Sequence, residues 1–203
     1  MKRRPLREEI LLLPNLITLG RIAALPGVLL LIDNYSRVRS FVAAMLFLLG
    51  SLSDVLDGWL ARRRGLVSVV GQFLDPVADK LWVLGVLVFL GARGRVDEWL
   101  IVLLLARELG IMGLRQIAVA YGLVIPASKG GKTKTALQVV GIVFVLVHFR
   151  YQLLGTTAKV DFHRTGTVLL WISLAMSLWS FGEYVRLFVR AIETKDAGRE
   201  GPP

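Results

Sequence analysis

The most informative parts of this sequence are two short acidic stretches, DVLDGWLAR at residues 54–62 and GQFLDPVAD at residues 71–79. Each stretch carries two aspartates three or four residues apart, and residues at that spacing share one face of a helix. The apolar run 41–52 leads into the first stretch, and the apolar run 81–90 leads out of the second. Carboxylates at the ends of such hydrophobic segments are costly unless protonation or bound divalent cations neutralise them.

The composition around these stretches indicates a membrane protein. The 203 residues are 55% hydrophobic, with a mean hydropathy of +0.62. Several apolar runs approach the ~20 residues that cross a bilayer as a helix. The sequence therefore predicts an all-α, polytopic integral membrane protein with six transmembrane helices after a short N-terminal interfacial helix. The expected spans are about 15–32, 40–61, 71–90, 98–122, 135–149 and 165–189.

The domain organisation that follows is simple. Residues 1–13 are the interfacial segment, residues 14–190 form one transmembrane domain, and residues 191–203 are a polar C-terminal tail. The chain contains no cysteine, which excludes disulfides, thiolate catalysis and Cys-ligated metals.

The net charge of +10 indicates the orientation of the chain in a membrane rather than nucleic-acid binding, because no basic patch interleaved with aromatic residues is present. Six spans place both termini on one side of the bilayer. That side collects the larger group of basic residues: Lys2, Arg3, Arg4, Arg7, Arg62, Arg63, Arg64, Lys129, Lys132, Lys134, Arg190, Lys195 and Arg199. The opposite side collects Arg37, Arg39, Arg93, Arg95, Arg150, Lys159 and Arg164. Both termini and the acidic stretches are therefore expected at the cytoplasmic face of a cell (inner) membrane, where basic loops also meet anionic lipids.

The chemistry of the four carboxylates favours hard cations. Oxygen ligands without nearby His or Cys suit Mg²⁺, Mn²⁺ or Ca²⁺ better than Zn²⁺. Two such cations held by shared carboxylates would suit displacement at phosphorus. The small residues Gly58, Ala61 and Gly71 could leave a slot for a flat group such as a nucleobase, and Arg62 could grip a phosphate.

Together the two stretches match the pattern D-x2-D-G-x2-A-R-x8-G-x3-D-x3-D at every fixed position and spacing. This pattern resembles that of the CDP-alcohol phosphatidyltransferase family. The resemblance implies a homodimer of six-helix subunits that transfers a lipid-linked phosphoryl group from a CDP-linked lipid to an alcohol and releases CMP. It implies two divalent ions, Mg²⁺ or Mn²⁺, held by Asp54, Asp57, Asp75 and Asp79. It further implies that Asp79 is the general base, and that the CDP moiety lies along Gly58, Ala61, Arg62 and Gly71.

The acceptor alcohol has to be read outside this pattern. Arg107 and Arg115 lie on one stripe of span 4, and Lys132 and Lys134 flank the start of span 5. Such a basic group beside a metal site suits the phosphate of an anionic acceptor. The amino-acid sequences at residues 106–115, at residues 127–135 and at residues 14–21 (PNLITLGR) are similar to those of the phosphatidylglycerophosphate synthase branch of the family. That branch implies CDP-diacylglycerol as donor and sn-glycerol 3-phosphate as acceptor.

Other interpretations remain open at this point. Inositol phosphate, serine or a lipid alcohol could replace glycerol 3-phosphate as the acceptor. A cation transporter could use the four acids as an ion path, although related halves or broken spans are not evident in the sequence. Arg107 could also simply pair with its neighbour Glu108.

Overall fold

A computed structural model of the chain describes residues 11–64, 69–123, 131–152 and 159–197. Within these ranges only the backbone is described for residues 54–64, 69, 72, 131–132 and 196–197. The described chain is mostly helical. Its helices are α1 (Leu13–Leu31), α2 (Arg37–Arg64), α3 (Val69–Ala92), α4 (Glu98–Ala120), α5 (Gly131–Val147) and α6 (Phe162–Ala197). Two short strands, β1 (Arg150–Gln152) and β2 (Lys159–Asp161), pair antiparallel between α5 and α6.

The six helices run up and down, so the bundle has two ends. At the hairpin end lie the connections 32–36 and 93–97 and the β1–β2 hairpin. At the opposite end, here called the site end, α1, α3 and α5 begin and α2, α4 and α6 end. The most extensive packing is between α5 and α6, and α1 packs on both α2 and α3.

The helices expected from the sequence are present. A helix lies at each predicted span, with ends shifted by a few residues. The 150–164 connection adds the short β1–β2 hairpin to this mostly helical chain. Helix α6 also continues to Ala197, through residues assigned to the polar tail. The predicted interfacial helix falls largely on residues outside the described ranges.

Two helices are long and apolar enough to cross a membrane, judged by length and composition over the described residues: Leu13–Leu31 and Phe162–Lys195. A shorter apolar helix covers Thr133–Val147. Charged residues interrupt the apolar sequence of two other helices: α3 carries Asp75, Asp79 and Lys80, and α4 carries Arg107, Glu108 and Arg115. Large apolar side chains are exposed along the whole bundle, including Leu30, Leu49, Trp99, Val119 and Trp179.

The hydrophobic core lies towards the hairpin end, and Trp82 of α3 extends it towards the acidic stretches. The indole ring of Trp82 stacks on Phe47 with the centroids 5.9 Å apart, and its Nε1 faces the carbonyl of Phe47 at 3.2 Å and Ser51 Oγ at 3.3 Å. A Cβ at Gly50 would lie 2.2 Å from this ring, so the close approach requires glycine. Trp82 therefore fixes α3 against α2 within one turn of both aspartate-bearing stretches.

The hairpin end is tied together by Arg95, whose side chain is only 2% exposed. Its guanidinium donates to Asn34 Oδ1 at 2.8 Å, to Ser40 Oγ at 3.0 Å, to the carbonyl of Leu146 at 3.0 Å and to the carbonyl of Asp33. Burial lowers the pKa of Arg95 to about 10, and the nearby charge of Asp33 partly opposes this shift. At that pKa, Arg95 is still a cation at neutral pH. An arginine that the sequence placed among the loop charges is thus a buried link between the 32–36 connection, α2 and α5.

Candidate active site

Helix α3 carries the second pair of predicted metal ligands. Asp75 and Asp79 lie four residues apart near its start and so share one face. Asp75 is exposed, and the side chain of Asp79 is 45% exposed. Both carboxylates are therefore accessible at the site end of the bundle.

The first pair, Asp54 and Asp57, lies on the last turns of α2. The structure describes only the backbone of Asp54 and Asp57, and the same holds for Gly58, Ala61 and Arg62. The predicted gathering of all four carboxylates therefore stays a prediction. Trp82 contacts α2 at Phe47 and Ser51, one turn before Asp54, and Gly71 is buried at the start of α3.

A polar face of α1 lies next to Asp75. Asn15, Thr18 and Arg21 recur at helical spacing, and all three are buried. Thr18 Oγ1 lies 3.1 Å from Asp75 Oδ1 and 3.0 Å from the carbonyl of Pro14. Because the hydroxyl has one proton, it donates to one of these acceptors at a time. When it donates to Asp75, it fixes the orientation of that carboxylate.

A charged network connects α3 to α4 next to Asp79. Lys80 Nζ lies 2.6 Å from Glu108 Oε2 and 3.7 Å from Asp79 Oδ2. The other oxygen of Glu108 accepts from Nη1 of Arg107, whose side chain is 8% exposed. Arg107 Nε is buried without a hydrogen-bond partner among the described residues. This orphan donor is what a bound anion would satisfy.

Lys134, near the start of α5, joins the same region. It is buried and donates to Ser180 Oγ of α6 at 2.9 Å, while its carbonyl accepts from Ser173 at 2.9 Å. The charges of Lys80, Arg107 and Glu108 all act on it, as does that of the exposed Glu183. Two of the four predicted acceptor residues, Arg107 and Lys134, are thus brought together.

The other two predicted acceptor residues are not placed there. Arg115 is exposed two turns beyond Arg107, and the side chain of Lys132 lies outside the described side chains. Sequence reasoning missed Lys80 as a member of the site, although it directly follows the last acid of the pattern. It treated Glu108 only as a neutralising partner for Arg107, and that contact is present alongside the bridge to Lys80.

The bundle and its site define a mostly helical protein in which accessible carboxylates lie beside buried cations. The family model of CDP-alcohol phosphatidyltransferases matches residues 11–179, nearly the whole described chain. The chain belongs to this family and is a transferase of phospholipid biosynthesis.

Several relatives are named for one reaction within the family. The CDP-diacylglycerol–glycerol-3-phosphate 3-phosphatidyltransferase of Rickettsia bellii is 35% identical over 82% of this chain and 89% of its own length. The enzyme of that name from Bacillus subtilis is 34% identical over 67% of this chain and 77% of its own length. A probable phosphatidylglycerophosphate synthase of Mycobacterium tuberculosis is 41% identical over 69% of this chain and 68% of its own length.

Proposed function

We propose that this protein transfers the phosphatidyl group of CDP-diacylglycerol to sn-glycerol 3-phosphate, giving phosphatidylglycerol phosphate and CMP. The observation that carries the choice of acceptor is the pair of buried cations, Arg107 and Lys134, in the same region as the Lys80–Glu108 ion pair. Among the described residues, Arg107 Nε is buried without a hydrogen-bond partner. A phosphomonoester dianion would pair with these two cations and could accept from that Nε. The names of the relatives support the same reaction.

The donor set of the site fits a hard divalent cation. The described ligand candidates, Asp75 and Asp79, supply carboxylate oxygens, and Thr18 adds a hydroxyl against Asp75. Oxygen ligands of this kind suit Mg²⁺ or Mn²⁺. Asp54, Asp57, Asp75 and Asp79 would hold two such ions, which when bound supply charge neutralisation for the pyrophosphate and the departing CMP.

The chain's own residues perform the remaining work. Arg107 and Lys134 bind the phosphate of the acceptor and so position its C1 hydroxyl. Asp79 accepts the proton of that hydroxyl, whose oxygen forms a bond to the β-phosphorus while the bond from that phosphorus to CMP breaks. Gly58, Ala61, Arg62 and Gly71 line the CDP moiety, as the family pattern implies. The proton then passes from Asp79 to solvent.

The lipid donor requires this site to lie at a membrane surface. We place all six helices across the bilayer, since their exposed faces carry large apolar side chains and irregular backbone occurs at the two ends of the bundle. The surplus of Lys and Arg in the sequence puts the site end and both termini in the cytoplasm of a multi-pass inner-membrane protein. A homodimer, the arrangement implied by the family, would complete the assembly.

An acceptor panel tests this function. The purified protein in detergent is given CDP-diacylglycerol and Mg²⁺ with glycerol 3-phosphate, inositol phosphate, serine or phosphatidylglycerol, and CMP and lipid products are measured. We expect CMP and phosphatidylglycerol phosphate with glycerol 3-phosphate and neither product with EDTA. Turnover with another acceptor alone would overturn the proposed acceptor. Absence of metal-dependent CMP release with every alcohol would overturn the chemistry.

A further inference from the structure

Lys80 lies between two carboxylates that belong to different parts of the site. Its Nζ is 2.6 Å from Glu108 of α4 and 3.7 Å from Asp79, its neighbour on α3. Both contacts are ion pairs, but only the shorter one is within hydrogen-bond distance. Lys80 is therefore paired more closely with the carboxylate on the adjacent helix than with the acid beside it.

The surroundings of Glu108 explain why it holds Lys80 so well. Its side chain is 14% exposed, and its two oxygens face two different cations, Lys80 and Arg107. Asp79 is 45% exposed and competes for the same ammonium group in a more hydrated position. A buried carboxylate with two cationic partners interacts with them more strongly than an exposed one does, because solvent screens it less.

We propose that Glu108 is a positioning residue that draws the Lys80 ammonium group towards itself and so weakens its pairing with Asp79, while it also orients Arg107 for the acceptor phosphate. The inference rests on the proposed function, and it names a residue to which neither the family pattern nor the acceptor prediction gives this task. An ammonium group paired closely with Asp79 and a divalent cation bound to Asp79 would compete for the same oxygens. Glu108 weakens that competition without itself touching the ion.

Removal of the charge of Glu108 tests the first half of the proposal. In Glu108→Gln, Lys80 is free to close the remaining distance to Asp79. We expect the Kd for Mn²⁺, measured by electron paramagnetic resonance without substrate, to rise by about tenfold or more, the size typical when a group behind a metal ligand is lost. The KM for glycerol 3-phosphate should rise as well, because Arg107 loses its partner.

A second variant separates this mechanism from simple disruption. Lys80→Met in the Glu108→Gln background removes the competing ammonium group, and the methionine retains most of the aliphatic stem. We expect the double variant to recover an Mn²⁺ Kd within about threefold of the wild-type value, well inside the loss expected for Glu108→Gln alone. Its KM for the acceptor should remain raised. Glu98→Gln, an exposed acid at the other end of α4, is the matched control and should change neither quantity.

The outcomes are distinct. An unchanged Mn²⁺ Kd in Glu108→Gln would overturn the inference, and so would a double variant that binds Mn²⁺ as weakly as the single one. A wild-type protein that binds no Mn²⁺ would instead contradict the metal-dependent function on which the inference rests. Thermal unfolding followed by tryptophan fluorescence shows whether each variant is folded before its Kd is compared.

Discussion

Arg95 offers the sharpest test of the fold, because one side chain joins the 32–36 connection to α2 and α5 at the hairpin end. Replacement by Met keeps much of the aliphatic stem but removes every donor. The carbonyls of Asp33 and Leu146, the amide of Asn34 and the hydroxyl of Ser40 then lose their common partner. Each buried acceptor left unsatisfied costs roughly 1–3 kcal/mol, and the losses are not additive. We expect Arg95→Met to lower the free energy of unfolding by about 3–5 kcal/mol in total, as for other broken buried charge networks.

That loss can be measured directly in detergent, since five tryptophans report on unfolding. For a chain of this size, 1 kcal/mol corresponds to a shift of about 2–4 °C in Tm, so we expect a drop of about 6–20 °C. Arg93→Met is the matched control, because Arg93 is an exposed arginine in the same connection that lies over the ring of Phe89. It should shift Tm by no more than about 2 °C, as most surface substitutions do. Equal shifts for the two variants would refute the assignment of Arg95 as the link.

Three further outcomes are expected. Asp79→Asn should lower kcat by about 10²–10⁴-fold, the usual contribution of a general base, with Tm little changed; a near wild-type rate would remove Asp79 from the base role. Gly50→Ala should lower Tm and activity together, because its Cβ would meet an aromatic ring, whereas Gly20→Ala, with nothing within 4 Å, should leave Tm unchanged or slightly higher; similar effects on Tm would argue against the close approach. Burial lowers the pKa of His148, which follows the end of α5, to about 4, so the unfolded chain binds more protons than the folded chain between about pH 4 and 6.5 and stability should fall as pH drops through that window. After allowance for partial solvent exposure, the loss in free energy of unfolding is about 1 kcal/mol. His148→Asn should make Tm depend less on pH, and asparagine tolerates the positive φ of 65° at this position. An unchanged slope of Tm against pH would contradict this account.

The sequence was most informative about residue patterns that repeat within a few helical turns. Apolar runs predicted a helix at each of six positions, because an uninterrupted hydrophobic run of that length can satisfy its backbone only internally. The acidic pattern also named Asp75 and Asp79, whose shared face follows from helical periodicity alone. Family membership rests on that same pattern and is confirmed by the match over residues 11–179.

The sequence was least informative about contacts between residues distant along the chain. It counted Arg95 as a loop charge that sets topology, whereas the fold buries this residue among carbonyls of other segments. His148 and His163 are 15 residues apart in the sequence, yet their Nδ1 atoms lie 3.3 Å apart. It also could not separate Arg107, which is buried beside Glu108, from Arg115, which is exposed on the same helix.

By itself, then, the sequence determined the helical class, the carboxylate pattern and the family, since each depends on spacing within a few turns of one segment. Only the tertiary structure decided which carboxylate pairs most closely with Lys80. The physical reason is that the pairing of a buried charge depends on burial and on the side chains of adjacent helices. Residues 80 and 108 become neighbours only after α3 and α4 have packed.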